Sequence, residues 1–293
     1  SERNIKKYNL DYKTDYILQQ LSQNSVNSNA FYIQSTIDQN LQNIAEKSLL
    51  DNLLFFEKKY KQWSGSYKDI GKIQELNYSP HWLIGQVEKI HKNNVDVKLL
   101  NTGEIVKIID DLNLFGPNKQ KPTSFLGINE FVYLTLIKDQ YYLAQDLDIN
   151  GSVLVIDPFN GNILAMVGGN NYKKSNFNRS TQAFRQPGSS IKPFIYASAL
   201  ENKLYLPNSI ILDSNILLEQ GPNLPIWIPK NYSDQSYGEM SFRKALENSN
   251  NLITLKIGLD LGINQISKFF EKINLYENDE VKDVYSSLLG AIE

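Results

Sequence analysis

The chain has 293 residues, close to the length at which single hydrophobic cores stop growing, so two or three domains are expected. Hydrophobic side chains make up 41% and charged ones 21%, a mix that builds a packed core and excludes a disordered chain. With 30 basic and 32 acidic side chains the formal charge is -2, so no general positive field draws the chain onto nucleic acid or an anionic bilayer.

There is no cysteine, and the two histidines are His81 and His91. Disulfides, thiol nucleophiles and cysteine-held metals are therefore excluded, and no metal or cofactor is implied. A serine-histidine-acid triad needs one of these histidines beside a serine, yet both lie in segments without a nucleophile signature. Hydrogen-bonded or solvent-facing histidines are expected instead. No run of about 18 apolar residues occurs, and the opening SERNIKKYNLDYKTDY lacks the apolar region of a signal peptide, so the chain as given is expected to be soluble.

In chain order, residues 1–30 are polar and read as a linker or docking segment, with Tyr12, Tyr16, Ile17 and Leu21 on one face of a short helix. Phe31 to Ile37 alternates like a strand, and Asp38 is placed to cap a following helix. Leu41, Ile44, Ala45, Leu49, Leu53, Phe56 and Tyr60 then recur at spacings of three and four, which predicts a helix over 39–60 with this stripe buried. From Trp82 to Gln145 the pattern changes to five short strands between Asn-Asn, Asn-Thr-Gly and Lys-Asp turns, the spacing of a small OB-like β-barrel. Its mixed charge and lack of aromatic-basic interleaving favour a scaffold over an oligonucleotide binder.

The next change in composition is at Gly151. Two dense apolar strands, 151–157 and 162–168, flank the turn Pro158-Phe-Asn-Gly161 and are expected to be covered on both faces. Helical patterns follow at 192–200, 241–248, 252–258 and 263–273, so the class is α+β. Residues 201–240 form a long connection containing four prolines, with Trp227 either lining a groove or anchoring the loop.

The densest chemical signal is Arg185-Gln-Pro-Gly-Ser-Ser-Ile-Lys-Pro-Phe194, in which a glycine-containing turn feeds Ser189 into an apolar helix and Lys192 follows three residues later. On a helix this spacing puts both on one face, where an unprotonated amine can accept the serine proton. A lysine acting near neutrality must give up about 4 kcal/mol of its preference for the charged form, which burial in a cleft supplies. Ser249-Asn-Asn251 lies where one helical pattern breaks and another begins. It suits a proton relay at Ser249 and an amide-binding group at Asn251; the plain alternatives are a surface lysine and helix caps.

Together with these residues, Ser35-Thr-Ile-Asp-Gln39, Asp157 to Gly161, Ala165-Met-Val-Gly-Gly169, Phe177-Asn-Arg179, Trp227-Ile-Pro-Lys-Asn231, Arg243 to Asn251 and Leu289-Gly-Ala-Ile-Glu293 stand in an order that closely resembles the class A penicillin-binding proteins, the bifunctional peptidoglycan synthases. The resemblance covers nearly all the chain. It implies an incomplete penicillin-binding/β-lactamase-like serine transpeptidase fold with an inserted OB-like barrel. Residues 1–30 would be the linker after an absent glycosyltransferase domain, 31–75 the start of the transpeptidase domain, 76–148 the insertion and 149–293 the part carrying both motifs.

By resemblance, Ser189 attacks the D-Ala-D-Ala bond of a stem peptide and passes the acyl group to a neighbouring stem. Lys192 activates it, Ser249 shuttles protons and Asn251 orients the substrate amide, while β-lactam antibiotics acylate Ser189. The family's Lys-Thr-Gly or Lys-Ser-Gly triplet occurs nowhere in the sequence; Asn101-Thr-Gly103 is a turn. The family's membrane helix and glycosyltransferase glutamate are absent as well; the resemblance implies a parent anchored in the bacterial cytoplasmic membrane and facing the periplasm or cell exterior. Cell-wall regulatory proteins are expected partners through the insertion. Two competing readings are a catalytically incomplete, regulator-binding scaffold and a β-lactam-hydrolysing serine enzyme.

Overall fold

The computed structural model describes residues 10–23, 33–78, 80–219, 225–275 and 285–291, and the chain divides into two compact units, Ser1–Ala183 and Phe184–Glu293.

In the first unit, α1 (Tyr12–Gln23) forms where the aromatic stripe predicts a helix, and Tyr12 is buried. Of the strand expected over 31–37, residues 31 and 32 lie outside the described residues and 33–37 are not strand. Thr36 Oγ1 and the Asp38 N–H instead donate to Ile163 O and Leu164 O. The Asp38 carboxylate accepts from Asn40 N at 2.8 Å and Leu41 N at 2.9 Å and starts α2 (Gln39–Tyr60) as expected.

The buried stripe of α2 differs from the apolar periodicity. Ile44, Phe56 and Tyr60 are exposed, while Gln42, Glu57 and Lys58 are buried with Ala45, Leu49, Leu50 and Leu54. Each inward polar group meets a partner that lowers its burial cost. Gln42 exchanges two hydrogen bonds with the backbone of Met166, and Glu57 Oε1 accepts from the N–H groups of Asp148 and Ile149.

After β1 (Ser66–Tyr67) and α3 (Ile70–Leu76) come β2 (Leu83–Ile90), β3 (Asn94–Leu99), β4 (Ile105–Ile109), α4 (Pro122–Phe125), β5 (Phe131–Ile137) and β6 (Gln140–Ala144). They build an antiparallel sheet in the order β1-β5-β2-β3-β4, with β6 also on β5. The expected strands are present, but among the described residues no ladder joins β4 to β6, so the barrel does not close. One sheet face buries Val87, Val95, Val97, Val132 and Leu134; another cluster joins Leu50 and Leu54 of α2 to Ile73, Trp82 and Tyr133. His81 and His91 bond Glu46 and Asp96 at 2.7 Å each, as structural rather than nucleophile-activating groups.

The apolar pair β7 (Val153–Ile156) and β8 (Ile163–Val167) is antiparallel. Val153 and Val155 pack with Ala45, Leu49, Ala165 and Val167, but Leu154 and Ile156 are 41% and 48% exposed. Contrary to expectation, only one face of β7 is covered, because α2 packs on that side.

The second unit holds α5 (Lys192–Glu201), β9 (Ile210–Asp213), β10 (Gly238–Ser241), α6 (Phe242–Glu247), α7 (Asn251–Leu261) and α8 (Ile263–Lys272). The four helices fall where the periodicity puts them. Their core joins Ile195, Tyr196, Ala245, Ile253, Ile257 and Phe270. The long connection is tied by the antiparallel pair β9–β10 and by a bridge between Leu218 and Trp227. Trp227 packs partly buried against the core, which makes it an anchor of the loop.

Candidate active site

Gly188–Ile191 forms a 3₁₀ turn that runs directly into α5, and the Lys192 N–H donates to Ser189 O. In such a turn, side chains three apart eclipse, so the spacing read from the sequence stacks Ser189 and Lys192 on one side. Pro193 sits in the first turn of α5, where its missing N–H breaks no helical bond. Ser189 is exposed; Lys192, at the mouth of the apolar core, is only 1% exposed.

Gly188 has φ +54°, a left-handed conformation that glycine adopts without strain. Its N–H donates to Gly290 O at 3.2 Å. Gly290, at φ +79°, lies so close that a Cβ there would meet Gly188 O at 2.1 Å. The turn carrying Ser189 therefore rests backbone on backbone against the segment after the 3₁₀ turn Tyr285–Leu289.

The Ser249-Asn250-Asn251 triplet bridges α6 and α7. Ser249 has φ +50°, a costly conformation for a residue with a Cβ, and one that concentrates at functional sites. It turns the chain so that both its carbonyl and its hydroxyl reach the buried amine. Lys192 Nζ lies 2.6 Å from Ser249 O, 3.0 Å from Ser249 Oγ and 2.6 Å from Asn251 Oδ1. The structure thus brings together three of the four sequence-predicted residues by hydrogen bonds. Ser189 stands beside them on the preceding turn, outside that bonded set.

None of these partners carries charge, and burial pushes the Lys192 pKa down to about 8. The three acceptors match an ammonium, which has three N–H groups. When the amine is neutral, Ser249 O and Asn251 Oδ1 still accept its two N–H groups. The third partner, the Ser249 hydroxyl, is the only one of the three able to turn and donate to the lone pair. Both protonation states are satisfied, as a group that gives and takes protons requires.

Behind the triplet lies a buried polar cluster that sequence reasoning missed. Asn231 Oδ1 accepts from Asn251 N at 2.9 Å and Leu252 N at 3.3 Å, and Asn250 Oδ1 accepts from Ile253 N at 2.8 Å. Both amides donate to Asp213. Asn231 stood in a quoted motif without a role, whereas a lone acid ending the apolar strand Ile-Ile-Leu-Asp213 was the available clue to the other.

A model of the penicillin binding protein transpeptidase domain matches residues 151–287. Penicillin-binding protein 1A of Rickettsia prowazekii is 33% identical over 97% of this chain and 37% of its own length. The protein of the same name from Aquifex aeolicus is 30% identical over 89% of this chain and 35% of its own. The crystal structure of penicillin-binding protein 1A from Haemophilus influenzae superposes with a TM-score of 0.78 and 27% identity, covering 98% of this chain and 44% of that one. The chain spans little more than a third of the length of the curated relatives it matches over most of its residues.

Proposed function

Because this chain belongs to the penicillin-binding proteins of the 1A type, we propose that it carries the serine acyl-transfer site of a bifunctional peptidoglycan synthase, a D,D-transpeptidase cross-linking stem peptides. The observation that carries this is the buried, lowered-pKa Lys192 held by Ser249 and Asn251 beside the exposed Ser189.

In this reaction neutral Lys192 takes the Ser189 hydroxyl proton as Oγ attacks the carbonyl of the D-Ala-D-Ala bond. The new Oγ–C bond forms a tetrahedral oxyanion, which the Ser189 N–H stabilises as half of an oxyanion hole. Collapse breaks the C–N bond, and the Lys192 proton passes through the Ser249 hydroxyl to the departing D-alanine nitrogen. An acceptor amine then attacks the acyl-serine, loses its proton back along the same path, and restores Ser189 Oγ–H. Asn251 holds the substrate amide through its side chain. Its Nδ2 donates to Lys230 O at 2.9 Å, which fixes the amide orientation.

A β-lactam carries a strained amide in place of the scissile bond and acylates the same oxygen. The parent would face the periplasm from a membrane anchor; among the described residues no helix is long and apolar enough to cross a membrane. Residues 76–148 would be the insertion through which regulatory proteins act, and 149–293 the part bearing the site. Incubation with a fluorescent penicillin followed by intact mass should show one adduct, mapped to Ser189 and lost in S189A. No adduct at high reagent concentration would leave the scaffold reading, and rapid loss of the adduct would favour the β-lactam-hydrolysing one.

A further inference from the structure

We infer that Asp213 is a positioning residue of this site: its buried carboxylate orients Asn231 and Asn250, and through them the three oxygens that hold Lys192. The inference rests on the transpeptidase function proposed above.

Asp213 ends β9 and is 1% exposed. Its Oδ2 accepts from Tyr237 N at 2.8 Å, Asn250 Nδ2 at 2.9 Å and Asn231 Nδ2 at 3.0 Å, and Oδ1 lies 3.2 Å from Asn231 Nδ2. No cation among the described residues is paired with it. A buried carboxylate without a counter-ion survives by collecting N–H donors, and this one collects three.

A carboxylate accepts only, so each amide must present its nitrogen to Asp213 and turn its oxygen away. Both oxygens then meet the free N–H groups that open α7: Asn231 Oδ1 those of Asn251 and Leu252, Asn250 Oδ1 that of Ile253. Three successive donors of the first turn are thereby fixed by two side chains that both donate to one acid, Asn231 Nδ2 also donating to Gln235 O at 2.9 Å. The residues fixed are the ones that must hold Ser249 in its left-handed conformation and aim Asn251 Oδ1 at Lys192. An alanine at 213 would remove both acceptors, leaving Asn250 Nδ2 and Tyr237 N without partners and Asn231 Nδ2 with Gln235 O alone, whereas an asparagine with its oxygen at the Oδ2 position would still accept from all three.

The test uses the full chain, with fluorescent penicillin at saturation. The first-order acylation constant is read by intact mass, and thermal unfolding is followed alongside. D213A should acylate about 10- to 100-fold more slowly, the usual cost of losing a partner that orients a site residue. D213N, whose amide oxygen can still accept from Tyr237 N, Asn250 Nδ2 and Asn231 Nδ2, should recover most of that loss. Wild-type rates in D213A overturn the inference, and so does a D213N variant no faster than D213A. Should D213A fail to fold, N231A decides: a slowing of about tenfold or more supports the inference, and a wild-type rate overturns it. If the wild-type chain takes no adduct, the transpeptidase function itself falls and this inference with it.

Discussion

Lys58 in the first unit and Lys192 in the second are both buried, and burial has pushed their pKa values down to about 7 and about 8. Their surroundings differ in one respect that matters. Lys58 Nζ lies 4.6 Å from the ring centroid of Phe115 and 5.4 Å from that of Tyr142, and it bonds Asn113 Oδ1 and Leu143 O. Every acceptor it meets lacks a proton to exchange. Lys192 meets a hydroxyl on one side and follows an exposed serine on the other. Desolvation makes an amine titrate near neutrality; the neighbours decide whether the proton has anywhere to go.

The largest test of this contrast is removal of each amine. K192M should lower penicillin acylation by about 10²- to 10⁴-fold, the usual worth of a general base, while K58M leaves the acylation rate unchanged. Equal losses in both would erase the distinction. Next, G290A forces a Cβ into the Gly188 carbonyl and should cost about 1–3 kcal/mol of stability, seen as a lowered melting temperature with slower acylation. S249A, which keeps the carbonyl contact to Lys192 but removes the relay hydroxyl, should slow acylation by about 10- to 100-fold. Retention of the full rate would show that the proton takes another route.

The pH dependence sharpens the comparison further. If Lys192 acts as the proposed neutral base, wild-type acylation should rise with pH through about 8, and K58M should leave that midpoint in place. Stability should respond to both amines, and to Lys58 over the wider pH range. Its folded-state pKa of about 7 lies below the value in the unfolded chain, so between about pH 7 and pH 10 the unfolded state binds more protons and stability rises with pH. Below about 7 the full cost of burying the charge applies. K58M should therefore add about 1–2 kcal/mol at pH 6 and remove the part of the rise that begins near pH 7, leaving the part from Lys192 above about pH 8, as denaturant midpoints across pH would show.

Much of the second unit was legible because its helices are apolar and long, and because Ser189-x-x-Lys192 and Ser249-x-Asn251 are local patterns. The triplet's contact with Lys192 followed from the resemblance rather than from spacing, since 57 residues separate the partners in that bond. In the first unit the buried face of α2 was misplaced, because periodicity counts apolar residues and cannot know that Gln42 and Glu57 have backbone partners 124 and 91 residues away. Barrel closure was illegible for a related reason: strand patterns give each strand's faces but not which edges pair. Asp213 escaped notice because a single acid ending a strand is ordinary until its three donors arrive from elsewhere.

The contact between Gly188 and Gly290 also fixes an order in time. On the ribosome the turn carrying Ser189 and Lys192 emerges early in the second unit, but its support arrives about one hundred residues later. A contact of that separation must first close a long loop of chain, so it forms late. The turn carrying Ser189 then gains its brace only after the helical core that buries Lys192 has begun to pack. A nascent chain halted before Gly290 would carry the serine and the lysine without the brace between them, and should remain unlabelled by penicillin until synthesis passes that residue.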